Sequence, residues 1–115
     1  MPDIYLTRLR ALRAFGIPLA EQKEAEGHLE FGYFMSACGT YGCLLGWWAT
    51  TEYARNDGWR VNHRNALWNS VDDGEEYFGI SLKEWRNLFE TDPNNTLTMR
   101  KAFLDELIQR RTPHV

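Results

Sequence analysis

The sequence has no uninterrupted apolar run of about 18 residues, the length that a transmembrane helix needs. Its first stretch is interrupted by Arg8, Arg10 and Arg13, so it also lacks the apolar segment of a signal peptide. We therefore expect a cytoplasmic protein that has no membrane partner.

An excess of positive charge is also missing. The 115 residues include 13 Lys and Arg against 16 Asp and Glu, which gives a formal net charge of −3. Proteins that bind nucleic acids draw much of their affinity from clustered Lys and Arg, which neutralise phosphates. The charge balance therefore argues against nucleic acid as a partner.

Cysteine is scarce, because the chain contains only Cys38 and Cys43. In a cytoplasmic protein we expect both thiols to be reduced, and a disulfide between them would close too short a loop to add much stability. The length is that of a single domain, 1–115, with a loose tail at 112–115. A domain of this size has room for one site at most, and we expect no cofactor.

Aromatic residues, in contrast, are abundant at 14% of the chain. Two adjacent tryptophans lie in a predicted helix over about 41–56, which Thr40 can cap and Gly58 can end. Gly42 and Gly46 lie one turn apart on one face, so another element can approach closely there. Because apolar residues surround this helix almost completely, we expect it at the centre of the fold.

Apolar residues at three- and four-residue steps predict an amphipathic helix over 3–15, which Gly16 ends. A second short helix is predicted over 18–26, where Pro18 suits the first turn and glutamates favour exposure. The predicted buried stripe of the first helix consists of Tyr5 or Leu6, Leu9, Leu12 and Phe15.

Cap signals predict three more helices in the second half of the chain. With their cap residues they are 71–78 (Ser70, ended by Gly79), 82–90 (a capping box of Ser81 and Glu84) and 97–111 (Thr96). Spacing predicts the buried sets of the last two helices as Leu82, Trp85, Leu88 and Phe89, and as Met99, Phe103, Leu107 and Ile108.

Two short segments, 29–35 and 58–63, alternate apolar and polar residues as β-strands do. They could pair as a small two-stranded ribbon beside the central helix. The sequence therefore predicts a mainly α, compact single domain of four to five helices, with at most this ribbon.

A resemblance adds to this interpretation. The motif CGT-x2-C-x2-G begins at Cys38, and it is followed by Tyr77-Phe78-Gly79-Ile80-Ser81 and by Leu88-Phe89. This combination resembles a family of small uncharacterised bacterial and phage proteins, over roughly 29–111. The resemblance implies a shared fold and an association with phage or mobile elements, and it implies no activity.

One interpretation of the cysteines is a thiol-dependent enzyme. Cys43 falls in the first turn of the predicted central helix, where the helix dipole lowers a thiol pKa, and Cys38 lies in the loop before it. A nucleophilic thiol needs a partner histidine, for which His63 is the best placed and His28 the next. The simpler interpretation is that both cysteines are small buried apolar residues.

Two other kinds of site have little support in the sequence. Zinc sites usually use closely spaced pairs of ligands, whereas here the histidines flank the cysteines. The helices 71–78 and 82–90 have the length of a helix-turn-helix, but the second offers only Lys83 and Arg86 as cations. The residues considered for zinc are Cys38, Cys43, His28 and His63. We predict neither a metal site nor DNA recognition.

A protein-binding surface is the remaining candidate. Trp59 and Trp68 lie in a polar segment outside the periodic helices, close to Arg60 and Arg64. Tryptophan and arginine are frequent anchors of protein interfaces, although such rings can also fill a core. We therefore predict a non-enzymatic interaction protein that binds a protein partner through these four residues. The alternative is a thiol-dependent enzyme.

Overall fold

The computed structural model of the protein describes residues 3–29, 43–57, 77–89 and 94–113. These ranges are mainly helical and contain no β-strand, so the predicted fold class is confirmed. The predicted ribbon segments 29–35 and 58–63 lie outside them, apart from Leu29. Within these ranges no helix is both long and apolar enough to cross a bilayer.

The N-terminal residues form one continuous helical rod. It consists of helix α1 (Ile4–Ala11), a π-helical segment (Leu12–Gly16) and helix α2 (Ile17–Ala25). The predicted break at Gly16 is wrong, because this glycine has right-handed helical angles of φ −73° and ψ −47°.

Pro18 gives a physical reason for the π-helical segment. A proline inside a regular α-helix lacks the N–H for its hydrogen bond, and its ring clashes with the carbonyl group four residues earlier. The wider π turn relieves such a clash, and here the Ile17 N–H donates to the Leu12 carbonyl oxygen, five residues back. The rod therefore passes through Pro18 without ending.

The predicted central helix is two shorter helices, α3 (Leu44–Ala49) and α4 (Glu52–Asn56), so its predicted continuity over 41–56 is wrong. The break lies at two threonines. The hydroxyl of Thr51 donates to the Trp48 carbonyl oxygen at 2.7 Å and accepts from the Ala54 N–H at 3.2 Å. Thr51 thus helps to end α3 and caps α4. The predicted cap Thr40 and the predicted end Gly58 lie outside the described residues.

The second half of the described chain contains helices α5 (Leu82–Phe89) and α6 (Leu97–Arg111). The predicted capping box is present, since the Glu84 N–H donates to Ser81 Oγ at 3.2 Å and the Ser81 N–H donates to Glu84 Oε1 at 2.9 Å. Thr96 caps α6, as predicted, by accepting from the Met99 N–H. Gly79 ends the preceding helical residues with φ +61°, which also agrees with the prediction.

The buried faces of α5 and α6 differ partly from the predicted ones. Leu82 and Met99 were expected in the core, but they are 45% and 55% exposed. The buried face of α6 includes Arg100, a residue that a search for apolar spacing passes over. The positions that this face buries are Leu97, Arg100, Leu104 and Leu107.

Arg100 is fully buried, and its guanidinium group donates hydrogen bonds to backbone carbonyl groups near the two ends of the loop between α5 and α6. Its Nε donates to the Asn95 carbonyl oxygen at 2.8 Å, and its Nη1 donates to the Leu88 carbonyl oxygen at 3.0 Å. The Leu88 carbonyl lies in the last turn of α5, where carbonyl groups lack partners within the helix. Arg100 therefore joins α6 to the end of α5.

The core forms where α3 packs against the rod and α6 packs against both α1 and α5. Trp47 and Trp48 are both buried, which agrees with the predicted central place of this segment. Trp48 approaches the rod closely at Gly16, where an added Cβ would lie 3.4 Å from the indole and 2.8 Å from Leu12 Cδ1. Gly16 is thus a packing position for the tryptophan.

Candidate functional site

The described part of the chain has an apolar groove between the rod and helix α4. Its volume is about 570 Å³, which is within the range of ligand-binding clefts. One wall comes from the rod and the other from α4 and the residue before it. The lining residues are Ala14, Phe15, Pro18, Leu19, Thr51, Glu52, Tyr53 and Asn56.

Phe15 places an exposed aromatic ring in this groove. It is 53% exposed, and it stacks on Tyr53 with ring centroids 6.0 Å apart and an interplanar angle of 28°. The prediction that Phe15 belongs to the buried stripe is wrong. The wider π turn brings Gly16 and Ile17 onto the buried face and turns Phe15 towards the groove.

Buried aromatic rings support the α4 wall from behind. Tyr53 contacts Trp48, with centroids 5.6 Å apart, and Trp48 contacts Phe78 at 6.0 Å. Phe78 in turn stacks on Phe89 of α5 at 5.9 Å. A continuous series of rings therefore connects the groove with the core.

An arginine and a carboxylate lie at the end of α4. Arg8 Nε donates to Asp57 Oδ2 at 2.8 Å, and Arg8 Nη1 donates to the Tyr77 carbonyl oxygen at 2.9 Å. The same guanidinium carbon lies 4.2 Å from the centroid of the Tyr77 ring, in the position of a cation–π contact. Arg8 thus connects three parts of the chain.

Both tyrosines in this neighbourhood are held in their neutral form. Burial raises the pKa of Tyr77, and a hydrogen bond and the negative charge of Asp57 raise it further. Burial and Asp57 also raise the pKa of Tyr53, while the charge of Arg8 lowers it. Both phenols therefore stay protonated well above neutral pH.

The structure places Cys43 immediately before α3, where it is buried among core side chains. Its 6% exposure agrees with the interpretation of a small buried residue and leaves little surface for a substrate. The other residues of the thiol hypothesis, Cys38 and His63, lie outside the described residues.

His28 lies near the same helix. Its carbonyl oxygen accepts from Trp47 Nε1 at 3.2 Å, and its Nδ1 is 3.5 Å from Glu26 Oε1. Among the residues that the structure describes, no group of three His, Cys, Asp or Glu side chains could hold a metal ion.

The predicted interaction residues Trp59, Trp68, Arg60 and Arg64 also lie outside the described residues. Part of the helix-turn-helix candidate can be placed. Its core was expected to consist of Phe78, Ile80, Trp85 and Leu88; three of these are buried, Trp85 is only partly buried, and Lys83 and Arg86 are exposed. A helical hairpin needs the same buried residues, so they give no specific support to DNA recognition.

Neither the groove nor the role of Arg8 was predicted from the sequence. The one local signal for the groove is Pro18 inside a continuing helical pattern, because a π turn is one way in which a helix accommodates proline. Arg8 carries no such signal, since its partners Asp57 and Tyr77 are 49 and 69 positions away.

Comparisons with protein-family models, with curated proteins and with solved structures found no match. The resemblance carried by the cysteine motif therefore stays a prediction.

Proposed function

We propose that this protein is a non-enzymatic interaction protein and that it binds a protein partner in the groove beside Phe15. The observation that carries the proposal is the ring of Phe15, which is 53% exposed and stacked on Tyr53 at the opening of an apolar groove. Aromatic rings in such grooves are frequent anchors of protein interfaces.

The local backbone supports this choice of surface. π turns inside α-helices are rare and occur frequently at functional sites, and this one directs Phe15 towards the groove. Pro18 and Leu19 extend the apolar wall, and Glu52 and Asn56 supply polar groups on the other side. An apolar centre with polar groups at its edge is typical of protein-binding sites.

The predicted surface around Trp59 and Trp68, with Arg60 and Arg64, stays a second proposal for the same function. Cytoplasmic location and association with phage or mobile elements are likewise proposals, and the latter is based on the resemblance alone. Substitution of either tryptophan by alanine tests the second surface, since it should weaken partner binding and leave the fold intact.

The thiol-dependent enzyme remains the alternative, with Cys38 as its candidate nucleophile and His63 as the partner. The burial of Cys43 disfavours that residue in the same role. Iodoacetamide provides the test, because a catalytic thiol reacts in the native protein and a buried thiol reacts only after denaturation. Rapid native labelling of Cys38 would favour the enzyme.

The groove proposal can be tested with a photo-reactive benzoylphenylalanine placed at Phe15. Irradiation in lysate of the source cell should attach one defined protein to this position. The matched control places the same group at Met99, which is 55% exposed on α6 and outside the groove. Equal products from both positions, or none from Phe15, would contradict the proposal.

The identified partner then allows an affinity measurement. Phe15→Ala should weaken its binding by about 2 kcal/mol, because an anchor ring in a binding groove often contributes that much. Met99→Ala should leave the affinity unchanged. Thermal unfolding of both variants checks that the fold is intact.

A further inference from the structure

The two walls of the groove belong to segments that an ion pair joins. Arg8 lies in α1, and the helical rod continues from it to Phe15 and Pro18 in one wall. Asp57 is the C-cap residue of α4, which supplies the other wall. The 2.8 Å bond between Arg8 Nε and Asp57 Oδ2 therefore holds one wall to the other.

Asp57 is coupled directly to the aromatic residue of its own wall. The Asp57 N–H donates to the Tyr53 carbonyl oxygen at 2.9 Å, so the two residues are one helical turn apart. Residues four apart share a helix face. A contact that fixes the position of Asp57 therefore also fixes the orientation of the Tyr53 ring relative to Phe15.

Helix α4 depends on such external contacts. It has five residues, far fewer than the roughly 12–15 that an isolated helix needs to be even marginally stable in water. Its cap at Thr51 satisfies one end but does not fix the position of the helix relative to the rod.

Arg8 is well placed to fix that position, because other contacts hold its own side chain in place. Its Nη1 donates to the Tyr77 carbonyl oxygen, and its guanidinium group lies over the Tyr77 ring. The side chains of Arg8 and Asp57 are 20% and 25% exposed. Ion pairs that are mostly buried are screened less by salt than exposed ones.

We propose that Arg8 is a positioning residue for the groove: the Arg8–Asp57 pair, here called the latch, sets the distance between Phe15 and Tyr53. Opening the latch releases α4 from the rod and separates the two rings. The latch thereby controls how well the groove holds a partner, a consequence that rests on the proposed function.

The test uses the full chain with 4-fluorophenylalanine at Phe15, and the measured quantity is the ¹⁹F chemical shift. This shift reports the ring of Tyr53 that stacks on Phe15, and Tyr53→Leu supplies the reference value for lost stacking. Asp57→Asn removes the charge of one latch residue and keeps its shape, and Arg8→Lys keeps the charge and loses the forked geometry.

A matched control comes from a second ion pair on the same rod. Arg13 Nε lies 2.7 Å from Asp105 Oδ1 of α6, and neither residue lines the groove. Arg13→Gln breaks this pair without touching α4. Circular dichroism confirms that each variant is helical before its spectrum is interpreted.

The proposal expects Asp57→Asn and Arg8→Lys to move the ¹⁹F shift most of the way to the Tyr53→Leu value, while Arg13→Gln leaves it unmoved. An unmoved shift in both latch variants, or an equal movement in the control, overturns the proposal. If Asp57→Asn fails to fold, Arg8→Lys decides the question by itself.

This readout needs no partner, so the latch and the proposed function can fail separately. A moved shift together with no partner captured at Phe15 would support the latch and contradict the function. Where a partner has been captured, latch variants should bind it more weakly than wild type and the Arg13 variant should not.

Discussion

Two regions of this molecule are built from helices that are held in different ways. In the region of α5 and α6 each helix has its own N-cap, and Arg100 and Arg111 add bonds between the two helices. In the region of α3 and α4 the helices have six and five residues. They depend on distant partners such as Arg8 and Gly16.

This difference indicates which part of the molecule can change its conformation. Short helices that depend on a few tertiary contacts tend to open at a lower free energy than longer helices that are joined to each other by several bonds. The groove lies beside α4, which is one of the short helices. We therefore expect α5 and α6 to form the rigid part, and α4 to be the element that responds to a partner.

The largest effect should come from the ring at the centre of the α3–α4 region. Trp48 is fully buried, and Trp48→Ala should lower the free energy of unfolding by ~3–5 kcal/mol because it leaves a large cavity. Trp85 of α5 is only partly buried, so Trp85→Ala should cost clearly less. Urea unfolding followed by circular dichroism measures both values. Equal losses would show that the comparison of the two regions is wrong.

The next effect concerns the bonds by which Arg100 connects α6 to the end of α5. Arg100→Met leaves the carbonyl groups of Leu88 and Asn95 without their guanidinium donor, and buried groups left unpaired cost about 1–3 kcal/mol each. We expect a loss of about 2–4 kcal/mol in urea unfolding. Arg110→Met is the control, since Arg110 is exposed. A loss as large in this control would contradict the assignment.

A smaller effect should follow from Gly79, which lies between the regions. It has φ +61°, and an added Cβ would lie 2.5 Å from Tyr5 Cγ. Left-handed backbone costs a residue with a Cβ roughly 1–2 kcal/mol, and the clash should add to this cost. Gly27 also has positive φ, but among the described residues no atom beyond its chain neighbours lies within 4 Å of its added Cβ. The difference between Gly79→Ala and Gly27→Ala in thermal unfolding therefore isolates the clash, and Tyr5→Ala should remove it.

The smallest effect at neutral pH concerns Tyr77. Because its pKa is raised in the folded state, the unfolded state loses this proton first as the pH rises past about 10. The contribution of Tyr77 to stability is therefore complete below that pH and is lost above it. Urea midpoints of wild type should fall more steeply in this alkaline range than those of Tyr77→Phe. Parallel curves would contradict the raised pKa.

Features of the fold that depend on neighbouring residues are predicted well from the sequence. The helix over 97–111 and its Thr96 cap, the capping box of Ser81 and Glu84, and the end at Gly79 are all confirmed. Each depends on residues within a few positions of one another, so a short window contains all the required information.

Features that depend on distant residues could not be predicted in this way. The buried face of α6 includes Arg100, whose partner at Leu88 lies in another helix. The helix that was expected over 41–56 breaks at Thr51, whose hydroxyl competes with the backbone for hydrogen bonds. The groove needs both the π turn and the latch between Arg8 and Asp57, and no short window contains both.

The π turn of the rod has a geometric consequence for the alignment of its two halves. In a regular α-helix the direction of every side chain follows from its position in the sequence. A single apolar stripe must then contact all the neighbouring helices. The extra residue in the π turn between Leu12 and Gly16 rotates the side-chain directions of α2 relative to those of α1. In this way α1 packs against α6 and α2 packs mainly against α3 while still reaching α6, although they form a single unbroken helix.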